Sequence, residues 1–343
     1  MIKVGFIGTG SISAAHLRCL QKRKDVKIAG LCDTNREQAL KRQKEFGGDV
    51  FTDFDEMLDK VKPDAVWVCT PPSVRRAPLL ACADRGIPVF CEKPVERSIS
   101  RGRQIAADLT RRKAKIQIGY VFRSVPVAQA LRKIIRNDKI HLVNSLYACH
   151  VSLSMSLPKW FYDKAKSGGA LIDQATHNLD FLRFLFGEVL EVRGTANNPV
   201  HKKKTGYTIN ETLGLILTFR SGIVAVHTHT WVGDAWRNEI TLSGEKNFYR
   251  LNLGTALLTA DKPVTEKCVQ AGGKMKKSTS GAIPFKFQQE ARSIYEYQNE
   301  IFLKQVVSGN WKNNPSDYAD GLKTLQLTHA CDQSLAGRVV KML

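Results

Sequence analysis

Over the first 120 residues, short β-rich apolar runs alternate with stretches of helical periodicity. Lys3–Ile7, Lys27–Leu31, Ala65–Cys69, Pro88–Cys91 and Lys115–Ile118 read as strands. Ile12–Gln21, Arg36–Phe46, Asp55–Lys60, Val74–Arg85 and Ile99–Arg112 read as helices between and after them. This spacing predicts a parallel, doubly wound α/β sheet covered on both faces. Right-handed crossovers would then line up the loops after the strands along one edge, where such sheets bind ligands. The texture changes after about Arg123. Pro126–Asn137 reads as an amphipathic helix, Leu142–Leu153 as a long strand and Gly168–Phe186 as a helix. Val189 to Leu258 then reads as successive strands, among them Thr212–Phe219, Ile223–Trp231, Glu239–Ser243 and Asn247–Leu253. That run predicts an α+β domain with an open, mostly antiparallel sheet. Lys262–Pro284 is polar, basic and rich in Gly and Ser, so a long surface loop is expected there. Two helices, about Phe287–Ser308 and Ser316–Ala336, close the chain.

With 343 residues and 43% apolar content, the chain can bury a core in each of two domains and is too apolar for disorder. No apolar stretch nears the roughly 20 residues that cross a bilayer. Met1–Ile7 becomes strand-like at once, without a charged leader, so a cytoplasmic protein with no membrane role is expected. The eight cysteines (Cys19, Cys32, Cys69, Cys82, Cys91, Cys149, Cys268, Cys331) form no C-x-x-C pair, and several sit in apolar runs. Reduced, buried thiols are expected, with no metal site. Fifty-two Lys and Arg against 32 Asp and Glu give a net charge of +20. The basic clusters are scattered, as in Arg111-Arg112-Lys113, Lys202-Lys203-Lys204, and Lys274 with Lys276-Lys277. None interleaves with aromatics, so a solvated basic surface is expected rather than a nucleic-acid interface. An anionic substrate steered inward remains open.

Three segments carry chemistry. Gly8-Thr9-Gly10-Ser11-Ile12-Ser13 follows the first strand and opens a helix. Gly8 permits a tight turn, Gly10 lets amides approach a pyrophosphate, and the helix start at Ser11 and Ile12 favours the anion. Ser13 stands where Gly or Ala is usual. Asp33, 23 residues beyond Gly10, follows the next strand and is expected to bind the adenosine ribose hydroxyls, a helix cap being the alternative. A carboxylate there repels a 2′-phosphate, favouring NAD, while Arg36 keeps NADP possible. Cys91-Glu92-Lys93-Pro94 places a lysine at the ligand edge of a parallel strand, or in a plain surface turn. In Gly168–Asp180, the residues Asp173, His177 and Asp180 fall at i, i+4 and i+7, which suits general acid–base work. A structural histidine is the alternative.

In this order and spacing, the three segments resemble the glucose–fructose oxidoreductase, inositol dehydrogenase and MocA-like family of NAD(P)-dependent oxidoreductases, from Ile2 to Val340. Thr70-Pro71-Pro72, Gly119–Arg123, Asp320-Gly321-Leu322, Ser334 and Gly337-Arg338 add to the likeness. The resemblance implies a dinucleotide-binding Rossmann domain over residues 1–122. It implies a substrate-binding domain over 123–343, whose open sheet face forms homodimers or homotetramers. It makes Lys93, preceded by Glu92, the active-site lysine, and Asp173 and His177 the catalytic carboxylate and histidine. Thr70, Pro71 and Pro72 would wall the nicotinamide. Arg75 stands where the family commonly has histidine, and is expected with Glu92 at the cofactor. Arg123 and Trp160 are expected substrate contacts. The activity implied is hydride transfer between nicotinamide and a secondary alcohol of a sugar, cyclitol or derivative. Transient oxidation serving elimination or epimerisation, or regulatory binding of the dinucleotide without catalysis, are the alternatives.

Overall fold

The alternation in the first third of the chain resolves into six parallel strands: β1 Ile2–Ile7, β2 Val26–Cys32, β3 Asp49–Phe51, β4 Ala65–Val68, β5 Val89–Cys91 and β6 Ile116–Ile118. Their order is β3-β2-β1-β4-β5-β6. The helices α1 Ser11–Gln21, α2 Arg36–Phe46, α3 Phe54–Val61, α4 Arg76–Asp84 and α5 Ile99–Arg111 intervene or follow. The order reverses between β1 and β4, and a doubly wound sheet binds its ligand outside the strand ends at such a point. This computed structural model describes residues 1–151, 159–201, 205–264, 273–276 and 285–342, with backbone alone at 159, 160, 273–276 and 285. The three-residue β3 was not predicted, being too short to show a period.

β4 shows why the sheet is covered twice. Ala65 and Trp67 face a cluster with Phe6, Leu17, Leu20, Phe90 and Phe302, while Val66 and Val68 face another with Leu79, Ile105, Tyr318 and Leu322. Trp67 meets Phe302 edge-on at 5.0 Å and stacks near Phe90 at 6.1 Å. Such pairs add about 0.5–1.5 kcal/mol each beyond the area they bury. Phe302 belongs to the helix Ile294–Ser308, so the expected single division at residue 123 does not hold. One unit comprises Met1–Ser124 with Arg292–Leu325, the other Val125–Ala291 with Gln326–Leu343. The returning segment carries the apolar face that the first sheet lacks, a match invisible to a reading in chain order.

The second unit is built on ten strands: β7 Ile140–Ala148, β8 Val189–Asn197, β9 Thr212–Phe219, β10 Val224–Thr230, β11 Arg237–Gly244, β12 Phe248–Asn252, β13 Leu257–Ala260, β14 Gly273–Lys276, β15 Phe285–Gln289 and β16 Val340–Lys341. Their order is β14-β15-β13-β12-β11-β7-β10-β9-β8-β16. The β7–β10 pair is parallel and the others are antiparallel. In β10, Ala225, His227 and His229 are buried while Val226 and Thr228 are more open. α6 Pro126–Ile134 and α7 Thr176–Phe186 also belong to this unit. Two expectations fail here. Lys262–Pro284 is not one loop, because β14 lies within it and pairs with β15; a basic, polar segment is what an edge strand tolerates. Phe287 lies in β15 rather than opening a helix, and the alternation of Phe285 and Phe287 was the signal for it. The helix α8 begins at Ile294, and the last helix, α9, spans Tyr318–Ser334. Residues 152 and 153 of the long strand expected to Leu153 lie outside the described residues. No described helix is long and apolar enough to cross a membrane.

Replacing Phe302 by alanine tests the packing of α8. The expected loss is about 3–5 kcal/mol in urea unfolding, and a loss under about 1 kcal/mol would mean that α8 contributes little to that core.

Candidate active site

At the end of β1, Gly8 has φ +89°, and a Cβ there would lie 2.8 Å from the backbone of Cys69 and Thr70. Glycine is required because the β1 and β4 ends nearly touch. A Cβ on Gly10 would meet nothing within 4 Å. Gly10 caps α1 without a side-chain hydrogen bond, and no acidic residue occupies the first turn. The positive end of the helix, with exposed Ser11 and half-buried Ile12, thus opens onto free space. Ser13 fits its close-packed position because its hydroxyl donates to Gly10 O at 2.7 Å. Asp33 is not the cap of α2, a role taken by Asn35. Its Oδ2 accepts from Thr9 N at 2.8 Å and Thr9 Oγ1 at 3.0 Å, and its Oδ1 accepts from Asn35 N at 2.9 Å. A carboxylate so held keeps a lone pair for a ribose hydroxyl. Arg36 is exposed. Sequence reasoning missed Arg42. It is buried behind the turn, with Nε donating to Thr9 O at 3.1 Å and Nη2 to Gly10 O at 3.3 Å. This cradle fits a dinucleotide: an uncapped helix start for the pyrophosphate and a pinned carboxylate for the ribose.

Lys93 follows β5 and is half-buried, joined to Pro94 by a cis peptide bond. Its N–H donates to Glu92 Oε2 at 3.1 Å. Arg75 was expected to face the cofactor. Its guanidinium, 3% exposed, donates instead to Thr70 O at 2.8 Å, to Lys93 O at 3.3 Å, and to Glu92 O and Pro94 O. The chain has left the sheet there, and its carbonyls need donors that no strand supplies. Thr70 Oγ1 is buried and has no partner among the described residues, which suits it to a ligand; Pro71 is exposed, and Pro72–Val74 forms one 3-10 turn. Burial alone would raise the Glu92 carboxyl. The hydrogen bond and charge of His16, with the charges of Lys93 and Arg75, outweigh that and hold it below its usual value. Arg123, expected at the substrate, is a buried brace: it pairs with Asp320 at 2.6 Å and donates to Pro315 O at 2.7 Å.

In the second unit, Gly168 (φ +83°) leads into one turn of π-helix, Leu171–Ala175, continuous with α7. Asp173 lies in that wide turn and His177 in the first α turn, both half-buried. The expected α-helical register between them therefore runs through a π turn, a feature common at functional sites. Asp180, expected on their face, is 1% exposed and belongs to the packed side. Gln174 accepts from Trp231 Nε1, and Asn178 Nδ2 donates to Asn238 Oδ1 at 2.9 Å and to Ser145 Oγ at 3.3 Å. Ser145 Oγ in turn lies 3.0 Å from His227 Nδ1. Nothing in the sequence marked this polar layer beneath α7. The backbone of Trp160 lies in the turn Lys159–Tyr162, but its side chain is outside the described residues. Among the described residues, no group of three or more His, Cys, Asp and Glu could hold a metal ion.

Residues 2–120 match the family model described as oxidoreductase family, NAD-binding Rossmann fold, and residues 128–250 match the GFO/IDH/MocA C-terminal domain. The chain belongs to the GFO/IDH/MocA oxidoreductase family. It is 26% identical over 337 residues to the inositol 2-dehydrogenase of Rhizobium meliloti, covering 98% of this chain and 97% of that protein. It is 25% identical over 341 residues to the uncharacterized oxidoreductase YrbE of Bacillus subtilis, covering 98% and 94%. The solved structure of levoglucosan dehydrogenase in complex with NADH shares the fold, with TM-score 0.81 at 18% identity over 100% of this chain and 99% of that one. This GFO/IDH/MocA member is thus an NAD-binding oxidoreductase, and its cradle lies within the residues that match the NAD-binding Rossmann model.

The polar layer under α7 gives this protein a pH signature. Burial pushes the His227 imidazole down to about 4, against a hydrogen bond to Ser145 that raises it. Burial and the neighbouring His227 hold His229 well below its usual 6.5. The unfolded chain therefore binds protons below 6.5 that the folded chain refuses until about 4. Stability should be full above 6.5 and fall as pH drops through that window. Urea midpoints across it should fall less steeply for His227→Gln, and equal slopes would refute the assignment.

Proposed function

We propose that the chain is an NAD-dependent dehydrogenase acting on a secondary alcohol of a sugar, cyclitol or derivative, with Lys93, Asp173 and His177 serving one substrate. The observation that carries this reading is the clamped Lys93 segment. A protein that merely stored the dinucleotide has no need to fix the backbone that carries a lysine at the strand end with three carbonyl bonds. His177 takes the proton of the substrate hydroxyl, and Asp173 orients the hydroxyls or the imidazole. The Lys93 ammonium hydrogen-bonds the oxygen as its charge develops. NAD, when bound, supplies the hydride acceptor. The pinned Asp33 supports NAD over NADP, since its carboxylate would meet a 2′-phosphate with like charge.

The net charge of +20 favours an anionic substrate such as a sugar acid or sugar phosphate. In the second unit, the sheet face carrying exposed Leu142 and Ile216 would be covered by a second copy, giving a dimer or tetramer. Seven described cysteines are buried free thiols, in keeping with a cytoplasmic setting.

Polyols, aldoses and sugar acids screened with NAD and with NADP, while the reduced-nicotinamide absorbance is followed, test the activity. Net NADH formation with at least one sugar-like alcohol is expected. Tightly retained cofactor with no net NADH would replace this reading by transient oxidation. Lys93→Ala should lower kcat by about a hundredfold or more while NADH affinity, read by fluorescence titration, stays nearly intact. Near-normal turnover would remove Lys93 from the chemistry. With an anionic substrate, kcat/KM should fall steeply as salt is added, and a flat response would oppose that substrate class.

A further inference from the structure

His16, on the nucleotide helix α1, is completely buried. Its Nδ1 lies 2.8 Å from Asn299 Oδ1 and its Nε2 lies 3.0 Å from Glu92 Oε1. The orientation of the Asn299 amide follows from Trp67, whose Nε1 lies 3.1 Å from the same Oδ1. An indole N–H can only donate, so the amide oxygen must face it. That oxygen cannot donate to His16, so His16 Nδ1 carries a proton.

Two arrangements then remain at Nε2: an imidazolium donating to a carboxylate, or a neutral ring accepting from a carboxylic acid. The surroundings of Glu92 decide between them. Burial favours the acid; against it stand His16 itself first, then the charges of Lys93 and Arg75, with the Lys93 N–H donating to the other oxygen, and together they hold the carboxyl below its usual value. From the elements packed against His16, α8 presents Tyr295 at 5.4 Å and β5 presents Phe90 at 4.9 Å. Burial pushes the Tyr295 hydroxyl up to about 12, and burial also raises the Cys19 thiol one turn along α1, so both are neutral near pH 7. Glu92 is therefore the anion that His16 meets.

We propose that His16 is a fixed imidazolium, the buried counter-ion of Glu92, and through it a positioning residue for Lys93. The pair ties the helix of the Gly10 cradle to the segment carrying the lysine. Removing either charge leaves the other buried and uncompensated. Glu92 would then take up a proton or turn away, and the Lys93 N–H would lose a charged acceptor. The consequence for turnover rests on the role of Lys93 proposed above; the charge state does not.

The test is two-bond proton–nitrogen NMR of the full-length protein labelled with ¹⁵N-histidine, with His16 assigned from the signals missing in His16→Gln. Both ring nitrogens should show the imidazolium pattern near pH 7, with NADH present or absent. A neutral-tautomer pattern near pH 7 in the unsubstituted protein overturns the proposal, whether or not any variant folds. Glu92→Gln should convert His16 to a neutral ring. It should also lower kcat by at least about tenfold while KM for NAD moves less, with partial recovery in Glu92→Asp. An unchanged kcat in correctly folded Glu92→Gln overturns the positioning role. If Lys93→Ala keeps full activity, the catalytic reading fails on its own, and the NMR result still decides the charge of His16.

Discussion

A parallel strand that ends at the ligand edge leaves its next carbonyls and amides without a ladder, and each must find another partner or remain in water. In this chain the segment Glu92–Pro94 meets that demand with Arg75, whose fork of donors reaches the three carbonyls and Thr70 O as well. Lysine would supply fewer donors, without the planar geometry. The side chain of Lys93 can therefore be held at a site edge while its own backbone is fully engaged. The same solution recurs at β1, where Arg42 reaches the carbonyls of Thr9 and Gly10 from behind. Both loops are held by side chains of the unit to which they belong. Their shape therefore does not depend on a ligand arriving.

This arrangement bears on what the large positive charge means. Many of the cations are ordinary surface residues in exposed pairs, such as Lys60 with Glu56 and Arg85 with Asp59. Such pairs contribute about 0–1 kcal/mol and are screened by salt. Arg42, which also pairs with Glu45 at 3.0 Å, and Arg75 are buried. They sit in low-dielectric surroundings within one hydrogen bond of the Gly8–Gly10 turn and the Lys93 segment, where charge acts at longer range than on the surface. An anionic cofactor seated at these turns, as proposed, would meet these groups and the start of α1 first, so net charge is a poor guide to its binding. Substrate steering is a separate, longer-range effect.

The strand–helix alternation, the Gly8–Gly10 turn, Asp33 and the position of Lys93 were legible because each rests on local pattern: a period, a glycine, a strand end. What escaped was non-local. His16 and Asn299 are 283 positions apart, so no window contains both. Arg42 sits in a helix so charged that its burial against the glycine turn leaves no trace in the periodicity. Arg75 and Arg123 were expected at cofactor and substrate through the family resemblance, and what no local pattern showed is that Arg75 reaches four backbone carbonyls and Arg123 pairs with Asp320. Phe302 was read as part of the second domain because chain order, rather than the apolar demand of β1 and β4, decided its place. β14 was hidden by a composition that suits loops and edge strands alike.

The second unit shows the opposite balance between locality and stability. Asp173 and His177 stand on a helix start that needs a left-handed glycine and a π turn, neither of which is favourable in itself. Beside the buried Leu179, Phe181 and Leu182, a polar layer fixes the helix: Gln174 on Trp231, and Asn178 on Ser145 and Asn238. Apolar packing would tolerate rotation of the helix by a few degrees. Hydrogen bonds from one amide to two different strands would not. The cost is that His227 and His229 must stay neutral in the interior, which limits the folded state in acid. For the role proposed for Asp173 and His177, a fixed azimuth counts for more than added stability, since misplacement by about 1 Å can cost about a hundredfold in rate. The polar floor is therefore best understood as orientation secured at the expense of acid tolerance.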